Sequence, residues 1–204
     1  MTIQEHNFVH IEPCDEGSFD ADKFWDEQAR LTWACPRCRE VRPGVNGPID
    51  AVVQNQDRPS DLDFVAGYTF PIASTRLIDA LGPDLVTSYF EVGRVFHNSG
   101  KLLGGFRTLI GRNRLYVRGN VQSQYRICRE CGRLIYREVG DRYIVARATF
   151  APLCQTQDWA LLVCDTLFKE RLANIAWKKV SINTIAIVTA PRDNLSPDVE
   201  KLAW

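Results

Sequence analysis

Cysteine carries the most chemistry in this chain, with seven residues at positions 14, 35, 38, 128, 131, 154 and 164. Four of them form two pairs, Cys35-Pro36-Arg37-Cys38 and Cys128-Arg129-Glu130-Cys131-Gly132. Two intervening residues let both thiolates of a tight turn face one ion, and two such turns complete a tetrahedral four-thiolate zinc site. The position after the second cysteine often takes positive φ, which glycine adopts at no steric cost. Gly132 fills it in the second pair and Arg39 in the first. Cys35, Cys38, Cys128 and Cys131 are therefore the expected ligands of a structural Zn2+.

Between Cys38 and Cys128 lie 89 residues, against roughly 15–20 in an ordinary zinc ribbon. The fold must bring the two turns together around a long insertion. Two independent redox-type pairs, or four buried free thiols, are the alternatives that the spacing leaves open. A catalytic zinc keeps an open position and usually takes histidine or carboxylate ligands. The histidines here are His6, His10 and His97; the first two have helical spacing but no third ligand, and His97 reads as a polar cap at a strand end. Walker A, Gly-x-Ser-x-Gly and His-Glu-x-x-His motifs are absent from the sequence, so no enzymatic activity is expected. Cys154 and Cys164 follow apolar residues and read as small core hydrophobes, while Cys14 lies in an acidic loop.

The chain that must position these thiols has 204 residues, 45% hydrophobic and 25% charged. That suffices for a single domain with a hydrophobic core, and it excludes disorder, collagen and coiled coil. No apolar run approaches the roughly 18 residues of a membrane span, so no membrane partner is expected. An odd cysteine count and a start without a basic or apolar leader point to a reducing, cytoplasmic setting.

The formal net charge of zero conceals strong polarity. Residues 1–30 hold eight acids and two bases, and residues 91–149 hold twelve bases and four acids. In the acidic segment, Ser18 or Asp20 is placed to cap a helix ending near Leu31. That helix either docks on the basic block of its own chain or faces a basic partner. Asp20, Asp22, Phe24, Trp25 and Asp26 form the candidate partner-binding patch, acids for steering and aromatics for anchoring. The basic block interleaves arginines with Tyr116, Tyr125, Tyr136 and Tyr143 beside a cysteine turn, a pattern also found in nucleic-acid binders. Its bases are arginine except for Lys101, which favours planar pairing with carboxylates.

Strand-like runs fall at 51–53, 89–96, 115–118, 124–128, 133–138, 142–148 and 183–189. The short turn Val139-Gly140-Asp141 predicts a hairpin between 133–138 and 142–148. Residues 72–81 superpose on residues 163–172, each with a capping residue, Ser74 or Asp165, and a leucine seven positions on. An aspartate-aromatic pair precedes each, Asp63-Phe64 and Asp158-Trp159. The expected fold is α+β, a mixed or antiparallel sheet with short helices in one domain over 1–204. Within it, 33–40 plus 124–148 make a split zinc-ribbon-like module, and 60–97 and 157–190 make repeated strand-helix-strand units.

The two cysteine turns, with Gln157-Asp-Trp-Ala-Leu-Leu-Val-Cys-Asp-Thr-Leu-Phe168, resemble the double-CXXCG-motif proteins of myxobacteria and related bacterial immunity proteins against polymorphic toxins. The resemblance covers about residues 33–190 and departs from the family at Arg39, where a glycine is expected. It implies a small cytoplasmic, non-enzymatic protein that binds and neutralises a cognate toxin. The second reading is a zinc-ribbon nucleic-acid binder using the arginine-rich hairpin.

Overall fold

The computed structural model describes residues 8–13, 32–38, 42, 47–53, 60–64, 70–112, 114–115, 117–119, 126–135, 142–145, 151–156, 162–165 and 167–188. The acidic patch Asp20, Asp22, Phe24, Trp25 and Asp26 lies outside them, as do Cys14, Arg39 and the pair Asp158-Trp159. The elements run β1 (Phe8–Pro13), β2 (Ala51–Val53), β3 (Leu62–Phe64), β4 (Pro71–Ser74), α1 (Thr75–Leu81), α2 (Pro83–Tyr89), β5 (Phe90–His97) and β6 (Leu102–Gly111). They continue with β7 (Arg114–Leu115), β8 (Val117–Gly119), β9 (Arg126–Ile127), β10 (Leu134–Ile135), β11 (Arg142–Val145), β12 (Leu153–Thr156), β13 (Leu162–Asp165), α3 (Leu167–Ala173) and β14 (Val180–Val188).

The fold is mixed α+β. A five-stranded sheet has the order β2-β5-β6-β4-β3, a seven-stranded sheet the order β7-β12-β13-β1-β14-β11-β8, and β9 and β10 form a separate hairpin. Most neighbours are antiparallel; β2 with β5, β11 with β14 and β7 with β12 are parallel.

Side-chain alternation along the strands builds two cores. On β4 and β6, Ala73 and Leu109 point one way and Ile72 and Ile110 the other. Leu109 joins Ile11, Leu62, Leu77, Leu81, Leu153, Phe168 and Leu172 in a core shared by both sheets and helices α1 and α3. Ile110 joins Trp33, Ile49, Ala51, Val53, Phe70, Ile72 and Val95 on the opposite face of the five-stranded sheet. This second core seats the first cysteine turn, because Trp33 packs edge-on against Phe70 at 5.7 Å two residues before Cys35. Burying each large apolar side chain contributes about 1.5–3 kcal/mol.

Helix α1 starts at Ser74, whose Oγ accepts from the Leu77 N–H at 3.1 Å. The same hydroxyl donates to the buried Asp61 carboxylate at 2.7 Å. Asp61 also accepts from the Lys178 backbone N–H at 2.9 Å, and its own N–H donates to the Lys178 carbonyl at 3.0 Å. Arg76 closes this junction, donating to the Ala176 carbonyl at 2.8 Å and lying over the Trp177 ring. One carboxylate thus ties the first helix to the segment leading into β14.

Among the described residues, the expected hairpin between 133–138 and 142–148 is not formed. Leu134 pairs with Ile127, closing the hairpin on the cysteine turn instead. β11 enters the seven-stranded sheet between β14 and β8, where Tyr143 is buried. The sequence reading also missed β6, a ten-residue strand whose exposed Gly104-Gly105 pair reads as a break.

Candidate metal centre

The first cysteine turn hangs from a hairpin-like closure. The Arg42 N–H donates to the Trp33 carbonyl at 2.9 Å, and Arg42 Nε donates to the Ala34 carbonyl at 3.1 Å. The second turn is closed by the β9–β10 pairing, with the Cys128 N–H donating to the Arg133 carbonyl at 2.7 Å. The Gly132 N–H donates to the Cys128 carbonyl at 2.8 Å, and Gly132 has φ 71°. That left-handed conformation is what the glycine after the second cysteine provides.

The fold brings all four expected ligand cysteines together. The Sγ atoms of Cys35, Cys38, Cys128 and Cys131 lie within 4.8 Å of one another. Cys35 and Cys128 are 3.8 Å apart, and Cys38 and Cys131 are 3.7 Å apart. These separations are too long for a disulfide and fit either packed free thiols or ligands of one ion. A disulfide needs about 2.05 Å, whereas sulfurs about 2.3 Å from a tetrahedral ion stand about 3.8 Å from each other. Cys35 and Cys128 are buried, and Cys38 and Cys131 are half-buried toward the surface. Among the described residues this is the one cluster of cysteine, histidine and acidic groups arranged to hold a metal ion.

Burial pushes the Cys128 thiol up, but the backbone N–H groups of Cys131 and Glu130 aimed at it outweigh this and bring it down to about 7. Burial raises the Cys131 thiol, and the neighbouring Cys128 and Cys35 sulfurs add to the rise. Crowded thiols that cannot all ionise together are the electrostatic condition a cation relieves.

The remaining residues fall elsewhere. Cys154 is buried on β12, and burial lifts its thiol to about 11, as expected of an inert core cysteine. Cys164 is on β13. His97 bonds Ser99 through Nδ1 at 2.8 Å, a turn cap as the sequence suggested. In the basic block, Arg112 pairs with Glu91 at 2.9 Å and Arg107 donates to the carbonyls of Gly104 and Phe106. Arg133 is buried, and Arg137 and Arg147 lie outside the described residues. Trp33, Arg42 and Asp61, which fix the first turn and the helix junction, were not singled out from sequence. The available signal was position: Trp33 and Arg42 flank their cysteines as Arg126 and Ile135 flank theirs.

The chain is thus a mixed α+β protein with a four-cysteine cluster built from two distant turns. No protein-family model matches it, and no curated protein does. Among the described residues no helix is long and apolar enough to cross a membrane.

Proposed function

We propose that Cys35, Cys38, Cys128 and Cys131 hold one structural Zn2+ and that the protein it braces is a non-enzymatic immunity-type protein, which binds and neutralises a cognate bacterial toxin in the cytoplasm. The observation that supports the zinc is the sulfur geometry, with pairs 3.7 and 3.8 Å apart in a set confined within 4.8 Å. A four-thiolate set leaves no coordination position for water or substrate, which suits a structural ion rather than a catalytic one. When bound, the ion stabilises the deprotonated thiolates and joins two turns that are 89 residues apart in the chain.

The toxin-binding role rests on the resemblance carried by the two cysteine turns and the 157–168 segment. The same cell that makes the protein would survive a toxin only while the pair associates. Co-expression with a toxin gene neighbouring its own tests this: rescue of growth and co-purification are expected, and killing without association overturns it. Nucleic-acid binding is the second reading. Of the hairpin arginines that this reading needs, Arg133 is buried rather than set out along a phosphate track, which favours the first reading.

A further inference from the structure

Both sheets are built on one five-strand plan. In the first, β3 and β4 form an antiparallel hairpin, α1 follows, and β5 returns parallel to β4 with β6 between them; β2 lies parallel to β5 beyond it. In the second, β12 and β13 form the hairpin, α3 follows, and β14 returns parallel to β13 with β1 between them; β11 lies parallel to β14 beyond it. The central strand of the first sheet is β6. In the second it is β1, drawn from before the first cysteine turn.

Registers show the correspondence residue by residue. Leu62 faces Ala73 and Leu153 faces Cys164, so each position of the hairpin recurs 91 residues later. Thr108 faces both Ile72 and Gly93, and His10 faces both Val163 and Asn183. The first pairing, taken with the 91-residue offset of the hairpins, equates His10 with Thr108 and Ile11 with Leu109, and the second then sets Asn183 90 residues after Gly93. The cysteine turns obey the same rule: Trp33 bonds Arg42, Arg126 pairs with Ile135, and 93 residues separate 33 from 126, 35 from 128, 38 from 131 and 42 from 135.

Contacts between the halves are exchanged across an axis. β1 packs on β3 while its counterpart β6 packs on β12, and α1 packs on α3. The shared core includes four counterpart pairs, Leu62 with Leu153, Leu77 with Phe168, Leu81 with Leu172, and Leu109 with Ile11, beside Ala73, Ile78, Val86 and Phe90 of the first half. Cys35 lies beside Cys128 and Cys38 beside Cys131. Reciprocal contacts of this kind define an isologous interface, the arrangement of a twofold dimer.

We infer that the chain is two tandem copies of one unit, cysteine turn, strand, hairpin, helix and strand, packed as a fused dimer about a local twofold axis at the cysteine cluster, with β1 supplying to the second copy the central strand that β6 supplies to the first. Strand order alone recurs among unrelated sheets. An offset that holds within each element, 91 residues in the hairpins and 93 in the cysteine turns, combined with exchanged contacts, is what duplication of a dimer-forming unit leaves behind. Among the described residues the copies differ where α2 in the first is replaced by the non-helical 174–179 and where β7 and β8 extend the second sheet. The inference stands on backbone geometry and holds with or without a bound metal.

A circular permutant tests it with every residue retained. Joining Trp204 to Met1 and opening the chain after Gly17 places β1 after β14, as β6 follows β5. Phe8 faces Ile185 near the end of β14, and the joined link of 23 residues, 189–204 followed by 1–7, is ample in length for this connection. The expected result is a permutant with one cooperative unfolding transition and the natural hydrogen-exchange pattern. In the natural chain, β1 amides are expected to exchange within about tenfold of β6 amides, as two equivalent central strands should. A permutant that does not fold, or β1 amides exchanging about 100-fold faster than those of β6, overturns the inference.

Discussion

The two cysteine turns present the same thiols to the same point from different supports. The second is a self-contained hairpin, with β9 and β10 flanking it and Gly132 in the left-handed conformation its bend requires. The first leans on the sheet: Trp33 is buried against Phe70, and Arg42 returns to the Trp33 and Ala34 carbonyls. A tight turn can be held by its own backbone geometry or by the core beneath it. The first turn, with arginine where the second has glycine, relies on the core. The difference predicts where each is vulnerable.

Metal removal should have the largest effect, because it takes the shared ion from both turns. Structural zinc contributes on the order of 10 kcal/mol where the unfolded chain has no site, comparable to the whole stability of a domain. Chelation should abolish the cooperative thermal transition or lower its midpoint by tens of degrees, read by circular dichroism. Acidification should act the same way, because protons compete for the thiolates. An unchanged melting curve after complete chelation would show that both turns stand without an ion.

Leu81→Ala and Leu172→Ala remove counterpart side chains from the shared core. Each should cost about 2–5 kcal/mol, and denaturant titration should give similar losses for the two. A loss confined to one would mean that only one copy carries the core. Gly132→Ala probes the second turn alone. Its Cβ would meet open space, so the cost is conformational, about 1–2 kcal/mol, with metal affinity falling alongside. Replacing Arg39 with glycine in the first turn should change stability less, since the core holds that turn.

The smallest effect belongs to the Asp50–Arg94 pair near the first turn, 2.6 Å apart and exposed to solvent. Burial pushes the Asp50 carboxyl up, but hydrogen bonds from the Arg94 side chain and backbone and its charge hold it below the ordinary value. A depressed carboxyl stabilises the fold above its unfolded value, near 3.8, and loses that contribution as pH falls through the lower folded value. Arg94→Ala should therefore flatten stability slightly between neutral and acid pH, measured by urea titration, and leave metal content unchanged.

Much of the site could be read from the chain because cysteine spacing is a local signal. The four ligands, the α1 cap at Ser74 and the likeness of 72–81 to 163–172 are all visible within a dozen residues. Long-range pairings were not. The hairpin expected at 133–148 failed because 134–135 closes on 126–127 around the cysteine turn, while β11 finds partners in β14 and β8. The aspartate-aromatic pairs were a false counterpart: register equates Asp63 with Cys154, not Asp158. β1 was illegible as a central strand because both its neighbours lie more than 150 residues along the chain.

Metal analysis of protein purified without added zinc asks whether the two distant turns share one ion. About one zinc per chain is expected, lost in both Cys35→Ser and Cys128→Ser, because either turn alone offers only two thiolates. Protein that is folded, metal-free and carries four titratable thiols at these positions, or that keeps its zinc when one turn is disabled, would contradict it.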